Sequence, residues 1–552
     1  MHIKLIALIA VATAVIAAPA SEGVQADVMD NAGAPENAGT RVSTVARDDH
    51  VQAPPKSCDP HQSTRDVPQL VGVFPNDEKP TKIAPAIYIR PASNQQDIDL
   101  FSNATSTAHK DFDIDKHTGF VPARRPLVRL PSAWKEWEEA RDAAVFARLQ
   151  LAEVTEKADE KQRDKEKAET EKWRASIRKM SVLSIDELKE SKEKLILARH
   201  LLTFLLHCYA HTIPTIDPIV IPRSISVPLL QTSKILQHPP VLTYFDENLN
   251  NWDCPENGKF PPSINDLRCR TTFTGTTDEA EFHLTLTRIE LRGGEALELM
   301  RLALVEAVHG NENGPAKVTD YLERATIVIQ ELREILLRIK NLMDPDLFYN
   351  KIRPWLSGGD GDTGGRLWIF EGKDEVGEWP GLSELSGLSA AQSPIIQALD
   401  AYLGIESARG KGSYATASGK KPFLERMRSY MALGHRKFLS ELRAYPRQIR
   451  TYVQTIAEQQ GSDSAVVHAY NIAVKALKDL RDSHMVIVTL FVIGPARRVK
   501  NEAAAMEAGS APSARDEGKN DQVKGTGGTE LVKFLKGVRE QTADAILQFD
   551  HD

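Results

Sequence analysis

Apolar residues recur every three or four positions through most of the second half of the chain, which is the period of a helix with one buried face. Gly-rich or polar stretches at about 357–365 and 500–529 interrupt this pattern, and a final helix follows 525–529. The pattern predicts an all-α bundle with helices over roughly 282–309, 315–342, 389–407, 421–442, 446–460 and 464–493.

The first half of the chain is less regular. Residues 21–110 are rich in Asp, Pro, Ala, Ser and Asn without periodicity, which is typical of a disordered extension. Charged residues at helical spacing over 153–179 predict a solvated helix, and 193–211 is a more apolar helix. The predicted domains are a leader (1–20), the extension (21–110), a small mixed, mostly helical domain (111–280) and a large helical domain (281–552) with a mobile loop at about 500–529.

The N-terminus has the pattern of a secretory signal. Lys4 precedes an apolar run of 14 residues, 5–18, and the small-residue pattern Ala18-Pro19-Ala20 follows. The run is too short for a comfortable membrane span. The alternative is an incidentally apolar, disordered leader.

Composition narrows the class of protein. With 552 residues, of which 41% are hydrophobic, the chain can bury a large core in more than one globular unit. A net charge of −7 gives no general attraction to phosphate backbones, so nucleic acid is not an expected partner. The four cysteines include no CxxC pair and are expected to be free thiols, with Cys254 and Cys269 the only pair worth testing.

His484 has the most informative surroundings of the 15 histidines. It lies inside the strongly apolar stretch 477–493, and Arg481 precedes it by one helical turn on the same face. An imidazole beside a cation suits haem, whose iron takes one protein imidazole and whose propionates need positive charge nearby. Taken alone, the pattern favours a hydrogen-bonded core histidine over a haem ligand.

Other candidate sites have weaker patterns. His207 and His211 form an HxxxH pair that could bind zinc, but no third ligand is evident and ordinary packing is favoured, as it is for His435. Residues 358–362 lack the oxygen-ligand spacing of a calcium loop. Residues 525–529 lack the lysine of a phosphate-binding loop.

Residues 480–489, Leu-Arg-Asp-Ser-His-Met-Val-Ile-Val-Thr, resemble the proximal-histidine helix of the indoleamine 2,3-dioxygenases. The resemblance extends from about Asp111 to the C-terminus. Further matches follow in the family's order at 113–115, 119–122, 221–228, 239–244, 251–252, 348–349, 353, 356–358, 370–372, 389–393, 400, 403–405 and 525–529.

The resemblance implies specific roles for residues of this chain. His484 would be the proximal ligand to the iron of haem b, and Arg481 would pair with a propionate. Arg353 would hold the substrate carboxylate, and Phe348 and Tyr349 would face the indole and the distal haem edge. The remaining substrate contacts implied by the resemblance are Tyr244, Phe282, Leu356, Ser389, Ala390 and, on a mobile loop, Thr526.

The family reaction inserts both atoms of O2 across the indole C2–C3 bond of L-tryptophan and gives N-formylkynurenine, which opens the kynurenine route. Iron and dioxygen perform the chemistry, so no acid–base pair is required. The expected partners are L-tryptophan or a related indole, O2 and an electron donor that keeps the iron ferrous. The resemblance also implies a monomer in the cytoplasm, whereas the leader would imply secretion.

Four positions depart from the family pattern. Leu286 stands where a serine is usual, Leu388 replaces a glycine, and Glu247 and Asn248 occupy positions that normally line the indole pocket. An unpaired carboxylate facing an indole would be costly. These departures keep open a haem protein that binds O2 or a small ligand without turnover, or a helical scaffold without haem. A small shift of the backbone would instead keep Glu247 and Leu286 out of the pocket.

Overall fold

The computed structural model describes residues 112–549, with gaps at 148, 153–159, 257, 310–311, 362–365, 380, 383–384, 406–421, 445–448, 509–524 and 527–529. The predicted leader and extension lie outside the described residues, as does most of the loop predicted at about 500–529. The described part is mainly helical with few strands, which confirms the predicted fold class.

The helices account for most of the described chain. They are α1 (Lys135–Phe146), α2 (Glu160–Lys179), α3 (Lys192–His211), α4 (Arg223–Leu236), α5 (Thr277–His309), α6 (Gly314–Arg338), α7 (Pro345–Leu347), α8 (Lys373–Val376), α9 (Pro394–Tyr402), α10 (Phe423–Arg428), α11 (Leu433–Ala444), α12 (Ile449–Gln460), α13 (Ala465–Val488), α14 (Gly494–Ala508) and α15 (Leu531–Asp544).

Short strands form two small sheets in the described residues. In one, β1 (Ile219–Ile221) pairs in parallel with β4 (Trp368–Phe370), and in the other β2 (Trp252–Asp253) pairs antiparallel with β3 (Arg268–Cys269). The first sheet joins the predicted small domain to the predicted large one. The domain boundary near residue 280 stays a prediction.

Helix α13, which carries His484, lies at the centre of the large helical half. It packs against α6, α12 and α15, and α6 packs in turn along α5. Its buried face includes Tyr470, Val474 and Leu477, at the helical spacing expected from the sequence. This packing holds α13 in a fixed orientation beside the cavity described below.

Three π-helical segments follow or contain residues of the predicted site. They are Phe245–Leu249, directly after Tyr244, Phe348–Ile352, and Thr489–Ile493, directly after α13. A π-helical turn adds a residue to the helical repeat, so it changes which side chains share a face. Such turns are frequent at functional sites.

A fully buried ion pair fixes the segment that carries Tyr244. Arg199, on α3, pairs with Asp246, and the two side chains are 0% and 1% exposed. The Arg199 guanidinium also donates to the carbonyl oxygens of Pro239, at 2.6 Å, and Val241, at 2.8 Å. Asp246 accepts hydrogen bonds from the backbone N–H and the hydroxyl of Thr243. The turn at 239–246 is therefore fixed to α3 by Arg199 and closed within itself by Asp246.

Two further observations concern the described residues as a whole. Cys208, Cys254 and Cys269 are free thiols, as expected, and Cys58 lies outside the described residues. The described helices include none that is long and apolar enough to span a membrane.

We predict that Asp246→Asn lowers the free energy of unfolding by about 3–5 kcal/mol, because it leaves a buried guanidinium without its counter-charge. Chemical denaturation of the purified protein measures this change. The matched control is Glu375→Gln, which breaks the half-exposed pair with Arg223 and should change stability by less than about 1 kcal/mol. Equal effects of the two substitutions would contradict this interpretation.

Candidate active site

One cavity brings together the site residues predicted from the sequence, with the exception of Tyr349. Its walls come from α5, α13 and α15 and from the segments 348–356 and 388–400. The predicted residues that line it are Tyr244, Phe282, Phe348, Arg353, Leu356, Ser389, Ala390, Arg481, His484 and Thr526.

His484 presents its imidazole ring to this cavity. In the described part of the chain, no group hydrogen-bonds to the ring, and His484 is the only histidine that lines the cavity. Burial, with a smaller effect of Arg481, lowers the pKa of His484 to about 4, so the ring is neutral near pH 7. A neutral imidazole keeps a lone pair that can bind a metal. These features are what a haem ligand would require, and the assignment of His484 as that ligand stays a prediction.

Arg481 lies one helical turn from His484, also at the cavity wall, and is largely buried. It forms an ion pair with Asp400 and donates a hydrogen bond to the hydroxyl of Thr542. These contacts tie α13 to α9 and α15. A haem propionate at this place would share the guanidinium with Asp400.

Arg353 lines another part of the cavity, in a 3-10 helix of residues Arg353–Leu356. Its guanidinium carbon lies 5.5 Å from the centroid of the Tyr349 ring, which is within the range of a cation–π interaction. Burial lowers the pKa of Arg353 from its ordinary value, and the group stays cationic. Contrary to the expectation, Tyr349 does not line the cavity. Its ring packs against the Arg353 guanidinium.

The cavity has an aromatic wall. The ring centroids of Phe282 and Phe348 lie 5.0 Å apart, and those of Phe348 and Phe491 lie 6.0 Å apart. Rings in such contact pack as rigid apolar surfaces that suit a flat aromatic ligand. Phe348 and Phe491 both belong to π-helical segments.

Two chain segments meet closely at the edge of the cavity. The Thr526 hydroxyl donates to the carbonyl oxygen of Leu388, and the Leu388 N–H donates to the carbonyl oxygen of Leu356 at 3.0 Å. A Cβ at Gly358 would lie 2.4 Å from the Gly387 nitrogen, so only glycine fits there. This contact positions Leu356 and Leu388 against each other in the wall.

The four departures from the family pattern divide into two groups. Leu286 and Leu388 line the cavity, as expected. Glu247 and Asn248 belong to the π-helical segment Phe245–Leu249 and are buried without lining the cavity. The expectation of a carboxylate facing the indole is therefore corrected.

Glu247 lies in a buried polar cluster. Asn251 donates to its carboxyl at 2.8 Å, and the His283 Nε2 atom lies 3.6 Å from the same oxygen. Burial raises the pKa of Glu247 well above its ordinary value, and Glu279 and Asp246 add to this shift. Burial therefore disfavours the ionised form of this carboxyl.

The remaining candidate sites have structural explanations. His207 Nδ1 lies 2.7 Å from the Trp355 carbonyl oxygen, and the Leu242 N–H donates to its Nε2 at 3.2 Å. His211 Nε2 lies 2.9 Å from the Ser357 carbonyl oxygen, so both members of the HxxxH pair serve packing. Among the described residues, no group of three or more His, Cys, Asp or Glu could hold a metal ion.

Several cavity residues were not identified from the sequence. Ile289 follows Phe282 and Leu286 at helical spacing on α5, so the period of that helix could have indicated it. Phe423, at the start of α10, and Phe534, on α15, also line the cavity. No motif marks these two, because only the packing of distant helices brings them to the wall.

The fold and the site define a class: a mainly helical protein whose buried apolar cavity offers one neutral imidazole. A model of the indoleamine 2,3-dioxygenase family matches residues 108–545. The chain is 31% identical to the indoleamine 2,3-dioxygenase of Saccharomyces cerevisiae, over 78% of this chain and 91% of that protein. It is 30% identical to indoleamine 2,3-dioxygenase nanC of Aspergillus nanangensis, over 79% and 96%.

Similarity extends to animal proteins. Indoleamine 2,3-dioxygenase 1 of Rattus norvegicus is 28% identical, over 80% of this chain and 96% of that protein. The chain belongs to the indoleamine 2,3-dioxygenase family. The activity of this family is the haem-dependent dioxygenation of tryptophan. The resemblance noted in the sequence is therefore confirmed at the level of the family.

We predict that Gly358→Ala lowers the free energy of unfolding by about 1–3 kcal/mol, because the new Cβ forces two backbone segments apart. Denaturant titration measures the loss. The neighbouring Gly359→Ala is the control, since its Cβ would lie 3.4 Å from the Trp368 ring, which is ordinary van der Waals contact. If both variants were as stable as the unaltered protein, the close contact would not constrain the wall.

Proposed function

We propose that this protein is a haem-dependent dioxygenase that inserts both atoms of O2 across the indole C2–C3 bond of L-tryptophan or a related indoleamine. The product would be N-formylkynurenine, at the start of the kynurenine route of tryptophan catabolism. The observation that carries the proposal is His484, a neutral imidazole without a hydrogen-bond partner in the described residues, which faces an apolar cavity that Arg353 also lines.

The cavity residues fit haem b. His484 would bind the iron, and Arg481, with Asp400 beside it, would face the propionates. Apolar side chains such as Leu477, Val488 and Phe491 line the wall that α13 and the following π-helical turn contribute. The haem supplies the iron that activates dioxygen, which is the demanding part of the chemistry.

Arg353 would bind the carboxylate of the amino acid substrate. A guanidinium offers two parallel N–H donors in a fixed fork, which matches a carboxylate, and a partly desolvated site strengthens the pairing. Tyr349, packed against the guanidinium, would restrict its orientation and so act as a positioning residue. The substrate would therefore be held at its carboxylate end.

The indole ring would pack against Phe282, Phe348 and Tyr244. Ser389, Ala390 and Thr526 would lie near the polar end of the substrate. No side chain needs to serve as a general acid or base, since the protein supplies an axial ligand, exclusion of water and orientation. An external electron donor would keep the iron ferrous.

Two further properties belong to the proposal. We infer a monomer in the cytoplasm from the family, with export as the alternative if the leader acts as a signal.

A second candidate function is a haem protein that binds O2 or a small ligand without turnover. It is favoured by Leu286 and Leu388, which occupy cavity space where the family has smaller residues.

We predict that the reduced, haem-reconstituted protein converts L-tryptophan and O2 to N-formylkynurenine, and that Arg353→Ala lowers kcat/KM for L-tryptophan at least about 100-fold. The expected loss is smaller for tryptamine, which lacks the carboxylate. Chromatography of the product and steady-state kinetics measure both effects, and the Soret band checks that haem is retained.

The control is Arg223→Ala, which removes an exposed arginine paired with Glu375 on the surface. It should leave kcat/KM unchanged. A holoprotein that retains its Soret band but forms no product from L-tryptophan would refute the dioxygenase proposal in favour of the ligand-binding alternative.

A further inference from the structure

A second cavity, of about 620 Å³, shares no lining residue with the candidate active site. Its walls come mainly from the segment 113–127, from the first turns of α3, and from Phe245, Asn250, Arg270 and His435. The function proposed above assigns no role to this second cavity.

Arg270 brings a positive charge without a counter-charge to the second cavity. Its side chain is partly buried, and in the described residues its guanidinium forms no hydrogen bond or ion pair. Two carboxylates act on it through space, and each is paired with another arginine: Asp253 with Arg125 and Glu138 with Arg129. Neither carboxylate therefore serves Arg270 as a direct partner.

The surroundings of Arg270 oppose its charge. Burial lowers the pKa of Arg270 to about 10, and the positive charge of Arg141 adds to this shift, but the group stays cationic near pH 7. A desolvated guanidinium costs free energy while it lacks an anion, and a bound anion would remove that cost. The second cavity therefore favours a negatively charged ligand.

The carboxylates that line the second cavity have other partners. Asp113 pairs with Lys192 at 2.5 Å, and Asp115 accepts the backbone N–H groups of residues 117 and 118 at 2.8 and 2.9 Å. Glu193 accepts a hydrogen bond from the hydroxyl of Ser191 at 2.6 Å. A ligand would therefore not have to displace any of these carboxylates from Arg270.

His200 supplies a hydrogen-bond acceptor to the same wall. Its Nδ1 atom lies 3.1 Å from the carbonyl oxygen of Asp246, which can only accept, so Nδ1 carries the hydrogen. Burial lowers the pKa of His200 to about 4 against an opposing effect of Asp246, and the nearby charge of Arg270 adds to the lowering. The ring is therefore neutral near pH 7, and its Nε2 atom, without a partner among the described residues, is an acceptor.

Asn250 supplies a second acceptor. Its Nδ2 atom donates to the carbonyl oxygen of Phe245 at 2.8 Å, which leaves Oδ1 to accept a hydrogen bond. Arg270 is held close to this residue, because its backbone N–H donates to the carbonyl oxygen of Asn251 at 3.2 Å. The second cavity thus combines one cation with two acceptors.

We propose that the second cavity binds a small organic carboxylate that also carries O–H or N–H donors, with the carboxylate on Arg270 and the donors on His200 and Asn250. A guanidinium fork matches a carboxylate. The body of the ligand would pack on the buried apolar part of the wall, which includes Phe120 and Leu197. An inorganic anion without hydrogens would face the two acceptors with its own lone pairs, so it fits less well.

The test measures binding of three probes to the haem-loaded full chain by equilibrium dialysis near pH 7. The probe 3,5-dihydroxybenzoate has the carboxylate and two donors, benzoate lacks the donors, and 3,5-dihydroxybenzamide lacks the charge. The Kd should be about 2- to 10-fold higher for benzoate than for 3,5-dihydroxybenzoate, and at least about 10-fold higher for the amide. An excess of inorganic phosphate should not displace 3,5-dihydroxybenzoate.

Variants locate the bound probe. Arg270→Gln should raise the Kd for 3,5-dihydroxybenzoate at least about 10-fold, because it removes the cation. The matched control is Arg268→Gln, at an exposed arginine of β3, which should bind like the unaltered protein. Arg353→Ala should also keep the binding, since Arg353 lines the other cavity. His200→Phe should reduce the preference for 3,5-dihydroxybenzoate over benzoate, and the Soret band checks that each variant is folded around haem.

Binding that is unchanged in Arg270→Gln, binding that is lost in Arg353→Ala, or no binding of any probe would overturn the inference. Ready displacement by inorganic phosphate would overturn it as well, because a simple anion site needs no donors on the ligand. The dioxygenase proposal does not depend on this result, since it is judged by the formation of N-formylkynurenine from L-tryptophan.

Discussion

The account depends on one constraint: a neutral imidazole, His484, is held at the wall of an apolar cavity without a hydrogen-bond partner in the described residues. An imidazole at an apolar wall is costly to leave unpaired, and a ligand bound to it would remove that cost. Helix α13 is fixed by α6, α12 and α15, and Arg481 fastens it to Asp400 and Thr542. The position of the imidazole therefore follows from the packing of the whole helical half.

Several buried polar groups are paired with each other away from the cavity. Arg199 and Asp246 compensate each other, and Glu247 accepts a hydrogen bond from Asn251. The cavity wall is consequently apolar and aromatic, with a few polar groups at defined places. Such a wall excludes water and makes each remaining polar group, Arg353 above all, more effective in recognition.

Helical periodicity was sufficient to predict the main elements. The helix predicted over 282–309 is α5, Thr277–His309, and the one predicted over 464–493 is α13 followed by a π-helical turn. The shared face of Arg481 and His484 also follows from spacing. The π-helical turns could not be predicted, and Glu247, which belongs to the one at Phe245–Leu249, does not line the cavity. Contacts between distant segments, such as those of Arg481 with Asp400 and Thr542, depend on tertiary packing that no local pattern contains.

The most direct test of the account is the resonance Raman spectrum of the ferrous, haem-reconstituted protein. It should contain an iron–histidine stretching band, which His484→Ala abolishes and added imidazole restores, whereas the control His435→Ala, at a buried histidine that does not line the cavity, keeps it. A His484→Ala variant that takes up haem with an unchanged iron–histidine band would contradict the account, because another residue would then hold the iron.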